Sequence, residues 1–396
     1  MMRKVQWNKR KGQLFVAAMK AMVWFVVLLL PQACIEPYDA DIEEEVKVVS
    51  VEGALIKGEP VQTVYVTRAT ALVNPQFIPV RECRVALLDD EGHEYLYREE
   101  IDGSYTLDVS DERLVFNRSY RLEVVTPGGE QYASAWETLS GGAEVDSVYY
   151  RIEEKFDNLS GETLNGLQFY IDLEAADTVS RYFRWNLTET YEYTVEAPID
   201  FYYEDASLEP VIEENPMEFF RCWKTTELDG LYLSSTENLT VNEKKMIPLH
   251  YVSTISDRLK IKYSLFVEQY TLSEGAYLYW QRNKIATQES GGLYTQQPGQ
   301  PVSNVVNVND STEQVLGYFW VSHKTEQRIF IPRISSLPVI GEKCNLVEFN
   351  VVDHGEGPFP VYIYVDDQTG QNLTGTPYCF NCTLKGGTNV QPEFWK

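Results

Sequence analysis

The chain reads as a mostly-β protein: an N-terminal β-sandwich followed by a larger β-rich region with a short helical insert. Three observations point there. Tyrosine (26 residues) and valine crowd a chain that is 13% aromatic, and both side chains suit a pleated surface. Short apolar runs with partial alternation recur between turn signals such as Asp89-Asp-Glu-Gly92 and Pro127-Gly-Gly129. A helical spacing stands out after Ser273, where Ala276, Tyr279 and Trp280 fall on one face.

Residues 1–33 read as an export signal. Arg3, Lys4, Lys9, Arg10 and Lys11 precede an apolar run from Ala21 to Leu30, then comes Ala33, and then Cys34 in the position of a lipid-attachment cysteine. The run of ten residues is short of the roughly 20 needed to span a bilayer. Pro31 occupies the place three before the cysteine where leucine is usual, so a plain signal peptide cut near Ala33 stays open. Met19 and Met22 are alternative starts. Residues 34–45 form an acidic tether with little to pack.

The first folded domain is set at 46–142. Stretches 47–55, 61–67 and 80–88 are valine-rich strands; 94–98, a turn entering 101–107, 120–126 and 132–139 follow. About seven short strands with frequent turns fit a small sandwich. The pattern resembles immunoglobulin-like or transthyretin-like sandwiches of secreted proteins. The second domain is set at 143–396. Residues 146–150 open it, and 167–173 and 182–195 are strands, the latter alternating apolar with polar residues. The acidic, proline-containing stretch 196–218 reads as a loop, and its Phe201, Tyr202 and Tyr203 are candidate ligand-facing residues. Stretch 259–270 is the cleanest strand, Ser273 caps a helix to about 288, and 315–321 and 328–332 return to strand.

Removing the signal's six basic residues leaves 28 basic against 59 acidic residues, a net −31, which excludes nucleic acid as a natural partner. Besides Cys34 there are five cysteines. In an oxidising compartment Cys222, Cys344, Cys379 and Cys382 can form two bridges in three ways, and Cys83 is left as a buried free thiol. Cys379-x-x-Cys382 lacks the helix start a redox pair needs and reads as a structural clamp on the C-terminal tail, where Phe394-Trp395 docks as an apolar plug. A zinc site would need a second close pair. His93, His250, His323 and His354 show no metal-ligand spacing, there is no Gly-x-Ser-x-Gly elbow, and the Gly-Gly pairs sit in turns. No catalytic residue, metal or cofactor is assigned.

Several segments together resemble one Bacteroidota lipoprotein family, the domain of unknown function 4249. They are Cys34-Ile-Glu-Pro-Tyr38, Val51-Glu-Gly53, Arg221-Cys-Trp223, Lys262-Tyr-Ser-Leu-Phe-Val-Glu-Gln-Tyr270 into Tyr279-Trp280, Val315-Leu-Gly-Tyr-Phe319 and Arg328-Ile-Phe-Ile331. The last is the block from Cys379-Phe-Asn-Cys382 through Gly386-Gly-Thr-Asn389 to Pro392-Glu-Phe-Trp395. Acidic residues after the cysteine resemble a surface-export signal of that phylum. The resemblance implies a lipid-anchored outer-membrane protein, facing the exterior, that accompanies a TonB-dependent β-barrel transporter and has no established reaction. A surface hydrolase acting on glycans or peptides, and a structural or adhesive protein, are the competing expectations.

Overall fold

The computed structural model describes residues 48–69, 77–101, 103–141, 143–156, 161–176, 180–289, 303–341, 343–350 and 358–396. The signal segment, Cys34, the tether and His354 lie outside them.

Ten strands fill the expected sandwich stretch: β1 (Val48–Lys57), β2 (Val61–Ala69), β3 (Phe77–Pro79), β4 (Arg84–Asp89), β5 (Glu94–Leu96), β6 (Arg98–Glu99), β7 (Ser104–Asp108), β8 (Ser119–Val125), β9 (Gln131–Ser134) and β10 (Glu137–Thr138). Longer strands follow: β11 (Ser147–Phe156), β12 (Thr163–Glu174), β13 (Tyr182–Thr194), then short β14 (Phe201–Tyr203) and β15 (Pro210–Ile212), then β16 (Arg221–Ser235), β17 (Glu243–Ser253) and β18 (Lys262–Leu272). Helix α1 (Glu274–Glu289) leads to β19 (Val305–Asn307), β20 (Val315–Leu316), β21 (Phe319–Pro332), β22 (Val347–Glu348), β23 (Val361–Val365) and β24 (Asn372–Thr374).

One large sheet, in the order β16-β13-β18-β21-β1-β2-β7-β6, carries the architecture. Its inner face is covered side by side by two smaller sheets. The first, β19-β9-β8-β4-β5, closes a core that includes Val51, Leu55, Tyr105, Tyr120, Leu122 and Phe319. The second, β11-β12-β17, closes a core around Phe169, Trp185, Leu187, Tyr263 and Leu265. Strand β21 belongs to both. Its inward Phe319 and Val321 join the first core, and Ile331, in the same phase further along, joins the second. β8 shows why these residues form strands: Tyr120, Leu122 and Val124 are buried while their neighbours are half-buried, the period-2 pattern of a one-face-buried sheet.

The stretch 46–142 therefore does not complete its own sandwich. β1 pairs in parallel with β21 (Gly53 to Phe319, Lys57 to His323), and β19 pairs with β9. β20 also lies along β1. Between β20 and β21, Gly317 holds φ +89°, and a Cβ there would collide with the Val51 carbonyl. The sequence expectation of separate strands over 315–321 and 328–332 gives way to a continuous β21, because pairing with β1 over 319–323 is taken up without a gap by pairing with β18 over 324–332.

The outer face of the large sheet is covered at one end by α1. The Ser273 hydroxyl accepts the Ala276 N–H at 3.1 Å, the expected N-cap, and Ala276 packs with Tyr270, Leu272, Tyr318, Trp320 and Ile56. A satellite sheet, β15-β14-β23-β24-β22, sits apart from both cores. It corrects the reading of 196–218 as loop: Phe201, Tyr202 and Tyr203 pair with β15 on one side and β23 on the other. Acidic residues and prolines hid strands too short to show a period.

Candidate functional site

The four paired cysteines converge on the C-terminal tail. Cys222 bridges Cys382 and Cys344 bridges Cys379. The Cys-x-x-Cys pair thus clamps the tail to two separate places instead of closing on itself. Backbone contacts extend the clamp. Glu196 and Ala197 N–H groups donate to the Cys379 carbonyl at 3.1 and 3.2 Å, and the Tyr193 hydroxyl donates to the Cys382 carbonyl at 2.6 Å. Trp223 and Thr388 exchange two backbone hydrogen bonds at 2.8 and 2.9 Å. Cys83 is free, as expected, but half-buried where a buried thiol was expected, because it sits at the rim of the first core just before β4. Burial raises its thiol pKa.

The tail ends on the outer face of the large sheet. Trp395 is buried, and its indole N–H donates to Glu192 Oε2 at 3.3 Å. Its ring meets Phe330 edge-on with centroids 5.6 Å apart, and Lys262 Nζ lies 5.0 and 5.3 Å from the two centroids. The Arg328 guanidinium is held between Phe394 at 3.8 Å and Phe266 at 4.5 Å. Lys262, Phe266, Arg328 and Phe330 share one face because antiparallel pairing sets Phe266 opposite Arg328 and Ser264 opposite Phe330. The docked plug is therefore a cation–π lattice as much as an apolar contact.

At the other end of the same face, Arg184 lies 3.8 Å from the Trp280 ring centroid and 5.8 Å from those of Tyr270 and Trp320. Burial pushes this guanidinium down from its ordinary value. The box pins α1 to the sheet, and Arg184 fills the place a cationic ligand would take.

The inner face holds the polar cluster with most chemical potential. Glu189, on the inner face of β13, is buried; Tyr263 O–H donates to its Oε2 at 2.9 Å, and Arg258 Nη1 lies 3.4 Å from each oxygen. His250 Nε2 is 3.8 Å from Glu189 Oε2, and burial pushes the imidazole down to about 4. Both oxygens of Glu189 are thus engaged, which suits a structural anchor better than a proton shuttle. The sequence carries a signal for it: along 183, 185, 187, 189, 191 and 193 the inward phase reads Phe, Trp, Leu, Glu, Tyr, Tyr, and the lone carboxylate is out of place. His250 had no such signal, because a register shift opposite β12 brings it inward.

Two other histidines pack locally. His93 Nδ1 contacts Asp89 Oδ2 at 2.9 Å, and His323 meets Phe116 edge-on at 5.2 Å. A cavity of about 10 Å³ among Leu167, Leu259, Ile331, Pro332, Ile334 and Leu337 has room for about one water. Among the described residues, no group of three or more His, Cys, Asp and Glu comes together in a metal-binding arrangement. Of the expected ligand-facing residues, Tyr202 turns into the satellite core beside Tyr362 and Phe380. Tyr203 stacks on Phe349 at 5.2 Å and meets Phe201 edge-on at 5.7 Å.

The chain matches the domain of unknown function DUF4249 over residues 35–328, and it belongs to that family. The match begins one residue after Cys34 and ends within β21, before the tail clamp. No curated protein matches the chain.

Proposed function

We propose that this protein is a lipid-anchored, exterior-facing outer-membrane component that serves a TonB-dependent β-barrel transporter as a non-enzymatic binding or accessory subunit. The observation that carries the reading is Cys34, set directly behind a basic and then apolar segment and ahead of an acidic tether. Membership of a family without an assigned reaction is consistent with it. The architecture supports it in kind: rigid sheets with aromatic surfaces suit recognition, and the half-buried Phe201 and Tyr203 offer a ligand-contacting face.

The test is purification of the tagged protein from its native membrane in mild detergent, with mass spectrometry of co-purifying chains. A β-barrel transporter recovered in stoichiometric amount supports the role; recovery of the protein alone under the same extraction overturns it. Cys34→Ser separates anchoring from partnership. It should move the protein out of the membrane fraction while leaving its fold intact.

A further inference from the structure

The geometry points to a second copy of this chain as the occupant of the free edge of β11, the two strands joining antiparallel about Ile152 into one continuous sheet. This inference does not depend on the proposed function.

Among the described residues β11 is an edge of its sheet, and its ten residues pair with β12 without a register break. Natural edges are guarded by prolines, bulges or charges. The opposite edge, β17, is guarded in these ways: it has Pro248, Met246 at φ +56° and two register shifts. β11 has no proline and no bulge. It does carry charges, Arg151, Glu153, Glu154 and Lys155, but the face that bears Glu154 also presents Tyr150, Ile152 and Phe156, which are 37, 49 and 63% exposed. These follow Val148, which belongs to the second core, in the same phase, so they extend the core's apolar face past its covered part.

The strand's own sequence selects the partner. In antiparallel self-pairing centred on Ile152, Arg151 meets Glu153 of the other copy and Tyr149 meets Lys155. On the other face Ile152 meets itself, Val148 meets Phe156, and Tyr150 meets Glu154, to which its hydroxyl can donate. Each pair occurs twice by symmetry. Moving the centre to 151 sets Arg151 against Arg151, and moving it to 153 sets Glu153 against Glu153. Like charges directly opposite are unfavourable, so one register is preferred. Arg151 and Lys155 are exposed and Glu153 half-buried. Within the sheet Glu153 accepts from the Tyr170 hydroxyl, Lys155 donates to Gln168 and Arg151 lies over the Tyr170 ring, and these surface contacts are exchanged for the cross-edge pairs when two copies join.

The test uses the full chain in mild detergent. Sedimentation should show a concentration-dependent dimer. Arg151→Glu should weaken it about tenfold, and adding Glu153→Arg in the same chain should restore it. Mild oxidation of Ile152→Cys should give a covalent dimer. Tyr150→Cys and Glu154→Cys should each give no covalent dimer alone and cross-link when mixed. A chain that remains monomeric at every concentration, or cross-linking that does not distinguish position 152 from its neighbours, overturns the proposal. The first of these would leave the edge to a strand of another protein.

Discussion

The indole of Trp395 donates to the carboxylate of Glu192, tying the penultimate residue of the chain to the large sheet 203 positions away in sequence. Glu192 is also paired with Arg221 Nη1 at 3.2 Å, so a buried carboxylate is neutralised from one side and hydrogen-bonded from the other. Truncating Trp395→Ala removes the ring that Phe330 and Lys262 pack against and leaves that oxygen of Glu192 without its donor. A loss of about 3 kcal/mol is expected in urea unfolding. Trp395→Phe keeps the packing and drops the hydrogen bond, and should cost about 1 kcal/mol. Equal losses for the two variants would show that packing contributes nothing.

The two disulfides should differ in weight. Cys222–Cys382 spans 160 residues and Cys344–Cys379 spans 35. Constraint of the unfolded chain grows slowly with loop length, so removing the first is worth about 5 kcal/mol and the second about 4. The paired alanine variants Cys222→Ala/Cys382→Ala and Cys344→Ala/Cys379→Ala should therefore unfold at different urea midpoints, the first lower. The reverse order would mean that the satellite sheet around Cys344, with Phe380 and Tyr362 packed beside it, depends on its bridge more than the tail does.

These features were unevenly legible in the sequence. Strands such as β8, buried on one face and exposed on the other, announce themselves by alternation. β16 lies at the outer edge of the large sheet and exposes Thr225, Thr226 and Glu227 in a row, so no period marks it. β17 loses its period to Pro248 and to two register shifts. The parallel pairing of β1 with β21 joins residues more than 260 positions apart and leaves no local trace. The tail clamp was readable as a function of Cys379 and Cys382 but not as a pairing, because bridge partners are chosen by the distance between strands that only the fold brings together.

Glu137 should make the protein less stable at neutral pH than it needs to be. It is buried at the start of α1, where Tyr318 O–H donates to Oε1 at 2.8 Å and Asn304 Nδ2 at 3.3 Å. Burial raises its pKa despite these bonds. A carboxyl that holds its proton more tightly when folded favours the folded state at low pH. That advantage is lost as pH rises from the unfolded value, about 4.3, through the folded one. Glu137→Gln keeps an acceptor for Tyr318 and carries no charge. It should raise the melting temperature at pH 7 and leave it near the parent value at pH 4. A variant less stable than the parent at pH 7 but near it at pH 4 would show instead that the negative charge at the helix N-terminus outweighs its burial.

His250 should work in the opposite direction. Its folded value, about 4, lies below the ordinary 6.5, with burial as the main cause and the nearby charges of Arg258 and Lys155 adding to it. The folded state therefore holds the neutral ring. This stabilisation is complete above the unfolded value and is lost as pH falls from about 6.5 to about 4. The full effect is on the order of 3 kcal/mol. Glu189, 3.8 Å from Nε2, would favour the charged ring, but Tyr263 and Arg258 already occupy its oxygens. The parent should accordingly lose stability across that window more steeply than His250→Gln, as read from unfolding midpoints at pH 7, 5.5 and 4. A parent that instead gains stability relative to His250→Gln as pH falls would show that Glu189 prevails and that the ring is charged in the fold. In that case the cluster on the inner face is an ion pair rather than a neutral histidine beside an anchored carboxylate.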